Sequence, residues 1–276
     1  MTRRVARPGM SVVSGTVEDI DDAAREHGTP GGADMHTWTA GPFLGFDTET
    51  TGVDPHHDRI VTAALVWRDA RGTRQRTWLV DPGVDIPEPA SAIHGVTTDR
   101  ARAEGTAPAH ALEEIAVELV RAVDAGVPLV AYNACFDLTL LEHELARWQL
   151  PTLAERLGGT PALVLDPLVI DRALDHERPG TRRLGDLCAH YRVEVLEDLH
   201  TAEVDVLATL GVLDCLIGAF PEVRARTLPE LHEWQRGHHR DWATRVNARR
   251  AAEGLGGPDV DLEWLPTVER VPVQPV

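Results

Sequence analysis

Hydrophobic positions fall into two rhythms along this chain. Residues 42–46, Pro-Phe-Leu-Gly-Phe, form a short apolar run that closes on Asp47-Thr48-Glu49-Thr50-Thr51-Gly52, the pattern of a buried strand ending in a polar turn. Two further β-like runs, at 59–69 and 73–82, are split by an Ala-Arg-Gly turn, so this part reads as a three-stranded meander. After a proline-bearing loop at 84–90 the spacing changes. Apolar residues at helical intervals cover 111–126 and stop at a glycine, 127–133 reads as a buried strand, and 136–149 as an amphipathic helix. A strand running into a helix follows at 162–175, then a long helix at 202–220. Alternating strands and helices predict an α/β sheet with helical cover.

The two ends have a different character. Residues 1–40 are rich in Gly, Pro, Asp and Arg and are expected to form a loosely ordered leader, with a short helix at 17–28 ended by Gly28. Residues 227–254 carry Leu, Trp and Val at helical intervals and are followed by a proline-punctuated, extended tail. The expected organisation is therefore a leader (1–40), a central domain (41–220) and a C-terminal helical extension (221–276).

Composition narrows the partners. A formal charge of -17 argues against an open basic groove, so any nucleic acid is expected to be held locally, through metal and a few arginines. All 27 basic residues are Arg, which GC-rich coding explains more simply than selection for phosphate binding. Cys135, Cys188 and Cys215 are widely separated, without zinc-knuckle or disulfide spacing, and a reduced, cytoplasmic setting is expected. No apolar run is long enough to cross a membrane, so no membrane partner is expected.

Three segments can carry chemistry. Asp47 and Glu49 lie two apart on a strand, so both carboxylates leave one face at the strand's end. Two such charges about 4 Å apart repel by about 4 kcal/mol at an effective dielectric of 20, which a cation between them relieves. The plainer alternative is an acidic turn. Asp137 falls in the first turn of the helix that follows Asn133, where the macrodipole favours a carboxylate by about 0.3–1 kcal/mol, so a capping role and a ligand role both stand. Asn133 itself suits a turn. His200 ends a loop five residues before Asp205, at the start of the long helix, and the two can face one cavity.

In order, Phe-Asp-Thr-Glu-Thr-Thr-Gly (46–52), Asn-Ala-Cys-Phe-Asp (133–137) and His-Thr-Ala-Glu-Val-Asp (200–205) closely resemble the DEDDh branch of the 3'-to-5' exonucleases, the family of the proofreading epsilon subunit of bacterial DNA polymerase III. Ile93–Thr97, Val164–Leu168 and 182–193 resemble the family's intermediate elements, and the likeness covers about residues 42–219. It implies a ribonuclease H-like fold, a central mixed five-stranded sheet flanked by helices. It implies that Asp47, Glu49, Asp137 and Asp205 hold two Mg²⁺ or Mn²⁺ ions and that His200 is the general base. Hard oxygen donors suit those ions, and histidine suits proton transfer near neutral pH. The resemblance further implies that Thr48, Thr51, His94, Asn133 and Phe136 contact the 3'-terminal nucleotide; a loop-ordering role is the alternative for His94.

The function expected is release of nucleoside monophosphates from single-stranded or frayed DNA 3' ends. Phe-Asp-Thr-Glu-Thr-Thr-Gly is closer to the DNA-directed members than to the oligoribonuclease type, whose first motif resembles Asp-Leu-Glu-Met-Thr-Gly. RNA trimming is the enzymatic alternative, and a replication accessory acting mainly by binding a polymerase or clamp is the alternative of another class. Residues 221–276 would then serve a replication or repair partner, although they lack a glutamine-led clamp peptide. Trp234 and Trp242 lie eight apart on one helix face, with Arg236, Arg240, Arg245, Arg249 and Arg250 nearby. Packing onto the central domain is favoured over a stacking surface for single-stranded DNA. The adjacent pairs His56-His57 and His238-His239 are expected at the surface.

Overall fold

A computed structural model describes residues 37–195, 199–257 and 259–266. The leader and its expected helix therefore lie outside the described residues, apart from a short 3₁₀ turn at Thr37–Ala40. Trp38, in that turn, is buried and donates its indole N–H to the Arg226 carbonyl at 2.8 Å, so the folded unit begins slightly before the expected boundary.

Strands β1 (Phe43–Thr50), β2 (Ile60–Asp69) and β3 (Gly72–Leu79) form the meander. Short helices α1 (Glu88–His94) and α2 (Thr98–Glu104) come next, then α3 (Pro108–Asp124), β4 (Leu129–Val130) and α4 (Ala134–Arg147). They are followed by α5 (Leu153–Leu157), β5 (Val164–Leu165), α6 (Pro167–Leu174) and α7 (Leu184–Tyr191). Helices α8 (Ala202–Ala219), α9 (Pro221–Arg224) and α10 (Leu228–Ala252) complete the described chain. The proline-bearing segment, expected as a loop, holds α1. Pro89 lies in that helix's first turn, where its missing N–H is no loss.

The five strands form one mixed sheet in the order β3-β2-β1-β4-β5. β1 runs antiparallel to β2 and parallel to β4, and β4 runs parallel to β5. Each face of β1 feeds its own core: Leu44 and Phe46 pack with Leu112, Ile115 and Leu141 of α3 and α4. Phe43 packs on the other side with Val206, Leu210 and Leu213 of α8. The odd-numbered face therefore carries Asp47 and Glu49 toward α8.

Gly45 sets how close α8 can come. A Cβ at this position would stand 2.2 Å from Val206 Cγ1, so only glycine admits the helix at its observed depth. Arg68 of β2 holds the same helix from the side, with two bonds of 2.7 Å to Asp214.

β5 is an edge strand, and α10 covers it. Gln235, fully buried, donates from Nε2 to the Val164 carbonyl at 3.0 Å and accepts the Asp166 amide on Oε1 at 2.7 Å. His232 Nδ1 accepts the Val164 amide at 3.1 Å. Side chains of one helix thus meet the backbone groups that a sixth strand would otherwise pair. Expected as an appendage, this part of the extension is built into the sheet's edge.

Candidate active site

β1 delivers two carboxylates and two helix starts deliver the others. Strand alternation puts Asp47 and Glu49 on the α8 side, and a register shift between Glu49 and Thr50 ends regular pairing with β2 at this point. Asp205 lies in the first turn of α8, and one carboxylate oxygen from each of Asp47, Glu49 and Asp205 falls within 4.8 Å of the others. This is the only such group of three or more metal-ligating side chains among the described residues.

Asp137 arrives from the opposite face, in the first turn of α4, and is buried. Its Oδ1 accepts the Thr48 hydroxyl at 2.6 Å, so the strand residue between the two ligand candidates holds the fourth carboxylate. The sequence reading placed Thr48 beside a nucleotide; its hydroxyl is committed to Asp137.

Electrostatics join all four. Burial, followed by the charges of Asp137, Asp205 and Glu49, pushes the Asp47 carboxyl well above the usual range. Glu49 is pushed up to about 7 by burial and then by Asp205, Asp137 and Glu203. Asp137 is pushed up to about 7 by burial, against the opposing pull of its bonds to Thr48. Asp205 is raised by burial, offset by the His200 amide and side chain. Carboxyls that resist losing their protons, through burial first and, for Asp47 and Glu49, through one another's charges, and that offer oxygen donors alone, fit a hard divalent cation.

His200 is exposed and adopts a φ of 100°, a left-handed conformation that costs a non-glycine residue energy. Its backbone N–H points to Asp205 Oδ1 at 3.4 Å. Beside it opens a cavity of about 680 Å³ lined in part by Ile93, Cys188, Val193 and Leu199.

Of the remaining residues, His94 is buried at the end of α1, and its Nδ1 accepts the Val96 amide at 3.2 Å. Its Nε2 lies beside the Thr50 carbonyl without a hydrogen bond of normal geometry, and burial lowers its pKa. The loop-ordering role and proximity to the end of β1 therefore coexist. Thr51 uses its hydroxyl within the turn, donating to Asp58 at 2.7 Å and accepting the Arg59 amide at 2.9 Å. Asn133 caps α4 in a left-handed conformation with its side chain exposed, and Phe136 is half-buried against the α3–α4 core.

Asp166 caps α6 by accepting the Leu168 amide at 2.9 Å. It also accepts the amides of Asn133 at 3.1 Å and Ala134 at 3.0 Å, a bond between loops that no local pattern signals. The paired histidines diverge: His56 meets His143 at 2.7 Å while His57 meets Asp54, and His238 meets the Trp234 ring edge-on while His239, expected at the surface, is buried and bonds the Asp261 carbonyl. Trp234 and Trp242 are covered by Arg226 and Arg172, whose guanidinium carbons lie 4.7 and 3.9 Å from the ring centres. Arg236 and Arg240 pair with Glu233 and Glu263, which agrees with packing rather than a stacking surface.

Comparison with known proteins places the chain in a family. A family model described as Exonuclease, RNase_T, matches residues 44–213. A DNA polymerase III subunit epsilon-like protein of Rhodobacter capsulatus is 33% identical over 196 residues, covering 67% of this chain and 25% of its own length. The DNA polymerase III subunit epsilon of Treponema pallidum is 34% identical over 122 residues, 44% of this chain and 54% of that protein. The chain thus spans about a quarter to a half of these relatives. Among solved structures, Escherichia coli exonuclease I in complex with a dA16 oligonucleotide superposes with a TM-score of 0.55 at 24% identity, covering 72% of this chain and 43% of that one. Exonuclease X in complex with 5' overhanging duplex DNA gives a TM-score of 0.51 at 20% identity, over 70% of this chain and 99% of that one. Both carry the same fold. The chain belongs to the exonuclease family.

Proposed function

We propose that this chain is a metal-dependent 3'-to-5' exonuclease that releases nucleoside monophosphates from single-stranded or frayed DNA ends. The observation that carries the reading is the convergence of Asp47, Glu49 and Asp205 on one point, with Asp137 raising the pKa of both β1 carboxyls. In this reading the four carboxylates hold two ions, Mg²⁺ or Mn²⁺, which when bound supply an activated water and a counter-charge for the leaving 3' oxygen.

The protein's own groups do the rest. His200, exposed at the lip of the cavity, accepts the proton of the attacking water. Ile93, Val193 and Leu199 in that cavity would meet the terminal base, and Phe136 and Asn133, at the start of α4, would be further contacts. Nδ1 of His94 accepts an amide hydrogen, so the neutral ring carries its proton on the buried Nε2, beside the Thr50 carbonyl, and the residue would act on the nucleotide by ordering the end of β1. Thr48 and Thr51 contribute through their backbone, since both hydroxyls are engaged.

DNA is favoured because the similar relatives are DNA polymerase III subunits and the two solved neighbours hold DNA. Matched DNA and RNA oligomers, digested side by side, test this choice. Faster loss of DNA is expected, and a strong preference for RNA would overturn it. A role with a replication or repair partner would fall to residues 221–276, and co-purification with the replicative polymerase tests it. The chain is expected to act in the cytoplasm; among the described residues no helix is long and apolar enough to cross a membrane.

A further inference from the structure

Asp166 is almost fully buried, and beyond its cap on α6 its carboxylate and backbone N–H bond two places, the start of α4 and the C-terminal segment. Oδ1 accepts the amide of Asn133 and Oδ2 accepts that of Ala134, the two residues that open α4. Asp137 stands one turn further on. Four N–H groups at a helix start have no partner within the helix, so a carboxylate that takes two neighbouring amides fixes both the direction of the helix and the left-handed Asn133.

The same carboxylate is held from behind. The buried Trp264 donates its indole N–H to Oδ2 at 3.4 Å and packs against His232, with ring centres 5.2 Å apart. Gln235 fixes the backbone N–H of Asp166 and, two residues back, the Val164 carbonyl. A continuous set of bonds therefore runs from the segment around Trp264, through Asp166, to the helix turn that presents Asp137.

We propose that Asp166 is a positioning residue for Asp137, and that Trp264 and Gln235 of the C-terminal segment tune the cation affinity of the site through it. The proposal rests on the reading of Asp137 as a cation ligand. Groups that orient metal ligands change metal affinity by about 10- to 100-fold when replaced. Asp166→Asn puts an amide N–H₂ against a backbone N–H, and Trp264→Phe removes one donor while keeping an aromatic ring in the site.

The test is Mn²⁺ titration of the full-length chain by calorimetry and by electron paramagnetic resonance, at a temperature where circular dichroism shows every variant folded. Asp137→Asn serves as a ligand control, and Val123→Ala, in α3, as a control for general loss of stability. Expected are Mn²⁺ binding at least tenfold weaker in Asp166→Asn, severalfold weaker in Trp264→Phe, and unchanged in Val123→Ala. The Mg²⁺ concentration for half-maximal rate should rise in step, with KM for the oligonucleotide unchanged. Affinities within twofold of the parent in both network variants, beside a clear loss in Asp137→Asn, would overturn the positioning role and leave the carboxylate site standing. Unaltered binding in Asp137→Asn would overturn the ligand reading and this proposal together.

Discussion

The Thr48 hydroxyl donates to Asp137 Oδ1 at 2.6 Å, and in doing so it joins the two faces of the sheet at the one place where four carboxyls gather. Thr48→Val keeps the shape and removes the donor. A buried carboxylate that loses a hydrogen bond destabilises the fold by about 1–3 kcal/mol. Because that bond favours the charged form, its loss raises the Asp137 pKa further above about 7. The acid limb of the pH–rate profile should move to higher pH in Thr48→Val and stay in place in Thr48→Ser. Urea unfolding and a pH–rate series measure both effects.

Gly45→Ala forces a methyl group to within 2.2 Å of Val206 Cγ1, so α8 must retreat and take Asp205 with it. Overpacking of this kind costs about 1–3 kcal/mol. Activity is expected to fall as well. Adding Val206→Ala removes the clashing methyl and should restore much of both, a non-additive result that a double-mutant cycle reads directly.

Raised carboxyl pKa values make a definite statement about stability without metal. Glu49 and Asp137 hold their protons to about pH 7 in the fold, against ordinary values of 4.5 and 3.8. Between roughly pH 4 and 7 the native state therefore binds more protons than the unfolded chain, and stability falls as pH rises through that window. In chelator the thermal midpoint should be higher at pH 5 than at pH 8, and Asp137→Asn should raise it at pH 8. Added Mg²⁺ or Mn²⁺ should raise the midpoint more at pH 8 than at pH 5, because the ion binds the deprotonated groups.

Gln235→Leu strips the edge strand of two partners, leaving the Val164 carbonyl and the Asp166 amide without them. About 1–3 kcal/mol should be lost for each group left bare. Arg236→Ala, one residue along on the exposed side, should stay within about 0.5 kcal/mol of the parent. Equal effects in the two variants would contradict the edge-covering role of α10.

His200→Ala should cut the rate by about 10² to 10⁴ while Mn²⁺ binding, measured by titration, stays near that of the parent. A normal rate would assign the proton to another group.

Much of this was legible in the sequence, and the reasons are physical. A strand fixes side-chain direction by alternation, so Asp47 and Glu49 could be paired from spacing alone; the helices at 111–126 and 136–149 show apolar residues at helical spacing, and the apolar run at 202–220 is too long for a strand. β4 and β5, two residues each, are shorter than the apolar runs that contain them, because a run reports burial and not hydrogen bonding. Asp166, Gln235 and Trp264 were beyond reach for another reason. A glutamine on a polar helix and a tryptophan in a proline-rich tail look like surface residues, and only the unpaired edge of β5, formed by a distant segment, gives them partners.

The central claim is that Asp47, Glu49, Asp137 and Asp205 hold cations for hydrolysis from the 3' end. The most direct test is a gel assay on 5'-labelled single-stranded DNA with Mg²⁺ or Mn²⁺, with and without EDTA, run beside Asp47→Ala. The account predicts a ladder of 5'-labelled products shortened stepwise from the 3' end, abolished by EDTA and absent in Asp47→Ala. Full activity in EDTA or in Asp47→Ala, or immediate release of the 5' label as a mononucleotide, would contradict it.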